Sequence, residues 1–548
     1  MKAANFDLRQ SPLAPADGSL PDLGDEADRS EGQSFFRSAR VRRWIALWGA
    51  MLGAFMAVLD IQITNSSLPD ILGSLGATLD EGSWISTSYL VAEIIVIPLT
   101  AWLADVFGTR RYLLVNTVLF LAFSVACAFA WNLGSMIAFR LLQGFTGGVL
   151  IPMAFTLVLK LLPPGEQPLG YGLFGMTATF APAIGPTVGG WLTDNYGWPA
   201  IFYLNLIPGS LMLAAIGWGL VEEKMKLSLL RRGDWAGIGT MAVGLGSLIV
   251  FLEEGNRNDW FASRSITTLG LLAVISLTLC VVIELRSAEP FINLRLLARR
   301  NFGLGAVVSM AFGFAMYGAT YLLPLYLSQV QGYNAEQIGW TIMWSGAPQL
   351  LMMPVAAALL KKFDARWLLT AGLAVFGVSC FMNAVMTHLT AYDQLKLSQL
   401  VRAIGMPLTI VPLTALATGG IEREQSGSAS ALFNMLRNLG GSIGIALLAT
   451  QLDLREKFHS ARLGESVSLF SPATQERMAA LTQHFVSLGA DSVAAGQQAL
   501  AALAGTVRRE SFVMAYGDCF LIIGVVMTAV MVFAWFCRPV KGAVGAAH

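Results

Sequence analysis

GLFGMTATFAPAIGPTVGGW, residues 172–191, is a hydrophobic run long enough to cross a bilayer, yet it carries Gly172, Gly175, Gly185, Gly189, Gly190, Pro182 and Pro186. Glycine costs about 1 kcal/mol and proline about 3 kcal/mol in a water-exposed helix interior. In lipid, such a helix holds only where neighbouring helices pack on its glycine face and re-satisfy the freed carbonyls. The stretch therefore predicts a buried, close-packed helix, bent near Pro186, within a membrane bundle. Glycine content alone fits a packing helix of any such bundle equally well, so the rest of the chain has to decide what the bundle does.

Composition agrees with a membrane protein. The 548 residues are 55% hydrophobic and 13% charged, against about 25% charged in ordinary soluble chains. A formal net charge of +1 and the lack of any basic cluster alternating with aromatics exclude nucleic acid as a partner. Cys127, Cys280, Cys380, Cys519 and Cys537 all fall in apolar runs and none forms CxxC, so neither a disulfide framework nor a metal site is indicated.

Residues 1–34 are rich in Pro, Gly, Ser and Asp and lack the charged start and apolar centre of a signal peptide. Together with Arg37, Arg40, Arg42 and Arg43 they make a disordered cytoplasmic tail, residues 1–43, whose basic cluster anchors the amino terminus inside. Apolar runs follow near 44–67, 84–103, 112–131, 135–160, 169–193 and 199–220, then 236–254, 266–286, 303–328, 336–361, 367–388, 398–418, 428–450 and 512–537. Each matches the length a bilayer demands. Fourteen crossings put both termini on one side. Lys and Arg are concentrated in the loops on that side, whereas the short loops opposite hold only Arg257, Arg264 and Lys396, so both termini are expected in the cytoplasm.

A weak repeat divides the chain. LADVFGTRRYLL (103–114) is similar to ALLKKFDARWLL (358–369), with Phe107 over Phe363 and Arg110 over Arg366, and Arg140 has a counterpart in Arg402. The offsets make 44–220 and 303–537 two related six-helix halves, with helices at 236–286 inserted between them. Related halves around a central site are the plan of secondary transporters.

Several segments carry a family resemblance. The order Gly172, Ala181, Gly185-Pro186, Gly189-Gly190 resembles the fifth-helix motif of proton-driven drug antiporters in the major facilitator superfamily, departing at Ala181, where glycine is usual. AWLADVFGTRR (101–111) resembles the superfamily's gating loop and keeps Asp105, Gly108, Arg110 and Arg111. It departs at Ala101, Val106 and Thr109, which implies fewer charge contacts. RLLQGFTGG (140–148) resembles the fourth-helix motif built on an intramembrane arginine. LDIQITNSSLP (59–69), GWPAIFYLNLIPG (197–209), GDWAG (233–237) and NMLRNLGGSIG (434–444) resemble the fourteen-helix EmrB/QacA branch. The resemblance covers most of 44–537. It implies an all-α membrane protein with the major facilitator fold and a proton antiporter needing no cofactor beyond the proton gradient.

Asp60, Glu93, Arg140, Arg402 and Arg437 are the ionisable residues read within the apolar cores. Each costs about 2.5–3.5 kcal/mol at the centre of a lone helix, so they are expected to face the protein interior. At 1.5 Å per residue Asp60, Glu93 and Arg140 lie about 10, 13 and 8 Å deep, close enough to share a cavity. A carboxylate poised between desolvation and a nearby arginine binds a proton and releases it when the cavity changes sides. The alternative is a static packing role for the same pair, and for Arg402 and Arg437 as well. Arg140 tunes the carboxylates rather than carrying protons, since guanidinium does not deprotonate. Gln62, Asn65, Tyr89, Tyr317, Tyr321 and Asn434 are candidates to line the cavity, with ordinary interhelical hydrogen bonding as the competing role. Few fixed charges among Met, Phe and Tyr favour lipophilic or amphipathic substrates of loose specificity.

GGSIG (440–444) matches a nucleophile-elbow pattern literally but lies in an apolar helix, and the histidines His388, His459, His484 and His548 sit near ends, in loops or in the tail, so it packs helices rather than catalysing. The chain has no Gly-Lys pair and hence no phosphate-binding P-loop, which leaves an ion gradient as the energy source and speaks against an enzyme. The segment 451–511 is far longer than the usual connection of about four to six residues. Within it Ser471 and Pro472 predict a helix start, and Met478, Leu481, Phe485 and Leu488 one amphipathic face. Residues 492–507 form a second helix-like run. Such a pair either caps the outer mouth or offers a docking surface. Its FHSARL start resembles the loop of EmrB-type pumps, which implies a periplasmic adaptor protein, an outer-membrane channel and an inner-membrane location. Three readings compete: a proton-coupled exporter, an importer of a small nutrient on the same fold, and a membrane scaffold or lipid-handling protein.

Overall fold

The computed structural model describes residues 39–163, 165–287, 290–422, 425–468 and 470–539. The expected tail lies outside these residues except for 39–43, which are already helical. The N-terminal helices are α1 (Ala39–Ser66), α2 (Leu68–Leu75), α3 (Leu79–Phe107), α4 (Thr109–Ala128), α5 (Leu133–Gly147), α6 (Leu150–Leu161), α7 (Gln167–Tyr196), α8 (Pro199–Tyr203) and α9 (Leu206–Gly219). A short α10 (Ser228–Arg232) leads into α11 (Trp235–Gly255) and α12 (Arg264–Arg286). There follow α13 (Arg300–Gln329), α14 (Ala335–Lys362), α15 (Ala365–Ala384), α16 (Tyr392–Thr418), α17 (Ser426–Ser466), α18 (Pro472–Ser487) and α19 (Ser492–Phe536).

Among the described residues, 13 helical stretches are long and apolar enough to cross a membrane; α5 with α6, and α8 with α9, each count as one. The 30 residues of α7 add a further helix, about 45 Å long at 1.5 Å per residue. Fourteen helices thus match the fourteen crossings read from the sequence. Their starts are chemically marked. Thr78 and Glu81 form a capping box on α3, Asn132 and Ser135 on α5, and Asn334 and Gln337 on α14, each satisfying backbone N–H groups that a helix start leaves orphaned.

α7 runs as one helix through Pro182 and Pro186. It packs on α1 along one stretch and on α14 and α16 along another, so it lies between the N-terminal and C-terminal helices. Gly185 and Gly189 explain the closeness. A methyl group on Gly185 would meet the Gln62 Cβ at 2.5 Å, and one on Gly189 would meet the Ile63 Cα at 3.1 Å and collide with the Ser66 hydroxyl. α3 and α6 reach across to α17, and α11 pairs with α12 while resting on both α3 and α17.

The segment 451–511 is more helical than the sequence implied. α17 continues without a break to Ser466, and residues 492–507 are the first turns of the 45-residue α19 rather than a separate helix. Asp518 ties the two extensions together, accepting from Arg455 Nε at 2.5 Å and contacting His459 Nε2 at 2.7 Å. Between them α18 starts at Pro472, as expected, although the Ser471 side chain makes no capping bond. Met478, Leu481 and Phe485 are half-buried and α18 packs against α19, whereas Leu488 ends the helix and is 70% exposed.

Candidate proton and substrate site

Asp60 on α1 and Arg140 on α5 meet inside the N-terminal helices, 3% and 1% exposed. Arg140 Nη1 donates to Asp60 Oδ2 at 2.5 Å and to Gln143 Oε1 at 2.8 Å. The other carboxylate oxygen, Oδ1, accepts from Gln143 Nε2 at 3.0 Å and from Asn205 Nδ2 at 2.6 Å. Asn205 also donates to Ser124 Oγ at 3.0 Å, and Ser124 to the Phe202 carbonyl at 2.8 Å. The Tyr89 ring lies 4.3 Å from the Arg140 guanidinium carbon, a cation–π contact. The expected meeting of Asp60 and Arg140 is therefore present, and three polar neighbours that the sequence reading passed over complete it.

Gln143 was within reach of that reading. It stands three residues after Arg140, on the same helix face. Asn205 sits between α8 and α9, where the helix is interrupted and its side chain can turn to Asp60. Ser124 carries no such signal.

Glu93 on α3 is 5% exposed, and among the described residues no hydrogen bond or ion pair reaches its carboxylate. Gly148 leaves it room: a methyl group there would meet the Glu93 Cα at 2.9 Å. Arg140 from one side and Arg437 from the other both act electrostatically on Glu93. Arg437 is itself buried, donates to Asn434 Oδ1 at 2.7 Å, faces the Phe174 ring at 5.3 Å and leaves its Nε and Nη1 without partners. Tyr317 lies within the field of Arg437 and Glu93, and its hydroxyl donates to Asn438 Oδ1 at 3.4 Å.

The other candidates divide. Gln62 is half-buried against Gly185, and Tyr321 is half-buried on α13. Asn65 is exposed, accepts from Ser86 Oγ at 2.5 Å, and does not join the central residues. Arg402 on α16 lines a recess with Gln349, Thr320 and Tyr317. Of the antiporter-motif residues, Gly172, Gly185 and Gly189 are buried, and Pro186 and Gly190 half-buried. The buried carboxylates Glu254 and Glu284 on α11 and α12 also belong in the inventory of intramembrane charges, from which their places near run ends had removed them. Glu254 accepts from Thr87 Oγ1 at 3.4 Å and pairs with Arg257 at 3.7 Å, and Glu284 accepts from the Ile292 N–H at 3.3 Å.

The loop between α3 and α4, expected from the resemblance to be the gating loop, makes several charge contacts. Gly108 takes φ +82° where the chain turns, a conformation that favours glycine. Asp105 pairs with Lys160 at 3.9 Å. The Thr109 N–H donates to Glu223 Oε2 at 2.9 Å, Arg111 pairs with Glu222, and Arg110 donates to the Gly217 carbonyl. Glu222 and Glu223, just past α9, thus supply the acidic partners.

Comparison with known proteins bears on the family and the fold. The sequence model of the Major Facilitator Superfamily matches residues 50–445. The chain is 32% identical to the colistin resistance protein EmrB of Acinetobacter baumannii over 88% of its own length and 94% of that protein. It is 32% identical to the multidrug export protein EmrB of Escherichia coli K12, over 90% and 95%, and 31% identical to the fatty acid resistance protein FarB of Neisseria gonorrhoeae, over 92% and 98%. Among solved structures, the proton:xylose symporter XylE aligns with a TM-score of 0.59 at 14% identity, covering 92% of this chain and 98% of that one, a likeness of fold.

Proposed function

The chain belongs to the major facilitator superfamily, and from that premise we propose that it is a proton-driven exporter of amphipathic drugs or toxic small molecules, residing in a bacterial inner membrane with both termini in the cytoplasm. Relatives named for multidrug export support this reading over nearly their whole length. The observation that carries the coupling is the division of labour between two buried carboxylates: Asp60 holds Arg140, while Glu93 has no hydrogen-bond or ion-pair partner among the described residues and lies in the field of the same arginine.

A proton arriving on Asp60 has to displace one of its donors. Release of Arg140 leaves a buried cation without its counter-ion, an arrangement that costs several kcal/mol unless another anion compensates. Glu93 is the second buried carboxylate on which Arg140 acts electrostatically. Exchange of Arg140 between the carboxylates changes how α1, α3 and α5 are held together, and so couples proton occupancy to which side the cavity faces. The proton gradient is the only energy source this scheme requires: about 2.3 kcal/mol per proton at 100 mV, roughly a fifty-fold concentration of a neutral solute at 1.4 kcal/mol per tenfold. No cofactor enters. The helical extension formed by α17, α18 and α19 is the surface on which a periplasmic adaptor would dock, linking the pump to an outer-membrane channel.

Everted membrane vesicles energised to an acid lumen test the direction. They accumulate a fluorescent lipophilic dye when they carry this chain and lose it on addition of a protonophore. Net depletion of dye from the lumen under the same gradient would make the chain an importer.

A further inference from the structure

Arg402, on α16, is the counterpart of Arg140 in the sequence repeat, yet the two are paired differently. Arg140 has Asp60 at 2.5 Å. Arg402 is only 6% exposed and has no carboxylate partner among the described residues. Its Nη2 donates to Thr320 Oγ1 at 2.9 Å and, weakly, to the Met316 carbonyl at 3.5 Å; its Nε has no acceptor. Cys380 is the one titratable neighbour found to act on it, whereas Arg437 has both Glu93 and Tyr317. A buried guanidinium without an anion is costly, and Arg is the side chain whose fork suits a carboxylate.

The guanidinium lines a recess where α7, α13, α14 and α16 meet. Gln349 lines it too, is 2% exposed, and leaves its Nε2 without an acceptor. Two buried donors on different helices therefore border one space with hydrogen-bonding capacity unspent. Thr320 and Ser345 add hydroxyls, and Met316 and Met406 supply apolar, adaptable wall. Unlike a surface patch, the recess has the makeup of ligand sites: mostly apolar, with a small number of convergent polar groups.

We propose that this recess is an anion subsite that takes the carboxylate of an amphipathic organic acid, with Arg402 and Gln349 as donors and the methionine wall against the apolar body. The proposal rests on the export reading only in naming the acid a transported substrate; the binding itself needs no gradient.

The test uses the full chain in lipid nanodiscs at neutral pH, with radiolabelled decanoate displaced by unlabelled decanoate, 1-decanol or sodium phosphate. Decanoate binds saturably, and 1-decanol competes about tenfold more weakly, or about 1.4 kcal/mol. Arg402→Gln abolishes the preference for the acid over the alcohol, Arg402→Lys keeps part of it, and Gln349→Leu, which leaves the charge in place, weakens decanoate several-fold. Equal displacement by 1-decanol, equal displacement by phosphate, or an unchanged preference in Arg402→Gln would each overturn the assignment. If Arg402→Gln fails to fold, Gln349→Leu decides: decanoate affinity equal to the parent's would reject the subsite. Proton exchange measured in proteoliposomes is a separate readout, so failure of the subsite and failure of coupling remain distinguishable.

Discussion

Asp60 accepts from Arg140 at 2.5 Å with both side chains buried, and each oxygen of that carboxylate is engaged. The pair therefore ties α1 to α5 inside the bundle. Removing one member leaves the other charged in a dry site, a change that typically costs about 3–5 kcal/mol. Arg140→Leu is expected to lower the melting temperature and the yield of monodisperse protein sharply. Asp60→Asn keeps the shape and one acceptor oxygen but also leaves Arg140 without its anion, so it is expected to melt below the parent, to bind substrate, and not to accumulate it against a gradient. Gradient-driven accumulation equal to the parent's at every pH in Asp60→Asn would transfer the carrier role to Glu93 alone.

Glu93 gives the opposite signature. Its carboxylate has no hydrogen bond or ion pair to lose among the described residues, so Glu93→Gln is expected to melt within about 0.5 kcal/mol of the parent, the range of substitutions that break no named interaction. Transport, in contrast, loses its dependence on pH. Thermal unfolding and dye efflux from pH 6 to 9 read the two effects separately.

Within the glycine motif of α7 the positions are not equivalent. Gly185 faces the Gln62 Cβ at 2.5 Å from where a methyl group would sit, whereas at Gly172 the nearest atom is the Met353 carbonyl oxygen at 3.5 Å, an ordinary contact. Gly185→Ala overpacks the α1–α7 seam and is expected to cost about 1–3 kcal/mol. Gly172→Ala removes a flexible residue from a helix interior and is expected to be neutral or slightly stabilising. Thermal melts of the two single variants, run beside transport assays, check the ordering.

Replacing residues 467–490 by a flexible linker removes α18 while leaving the Arg455, His459 and Asp518 contacts between α17 and α19 in place. Since α18 packs against α19 and buries no residue fully, the bundle is expected to fold and to bind substrate. Co-purification with a candidate adaptor is expected to fall. Undiminished co-purification would reject this face as the docking surface.

The parts of the molecule legible in the sequence were those governed by strong, local rules. Burial of charge is expensive enough that Asp60, Glu93 and Arg140 had to face inward, and the glycines and prolines of α7 had to meet other helices. Uncharged polar residues obey weaker rules: Asn205 and Gln143 look like any interhelical amide until the fold brings them to Asp60. Glu254 and Glu284 were hidden by lying near the ends of apolar runs, where a charge ordinarily reaches water. The extensions of α17 and α19 escaped because hydropathy marks where a membrane helix leaves the apolar layer, not where its hydrogen bonds stop. That Arg402 has no carboxylate partner among the described residues is a property of its neighbours on four other helices, which no reading of its own helix contains.

Coupling is tested most directly in proteoliposomes that enclose a pH-sensitive dye, with substrate added outside and no imposed gradient. The account predicts that substrate entry drives protons out: the lumen turns alkaline with the parent chain, and neither Asp60→Asn nor Glu93→Gln produces the change. Acidification of the lumen on substrate entry, or alkalinisation of parental size in Asp60→Asn and Glu93→Gln alike, would contradict it.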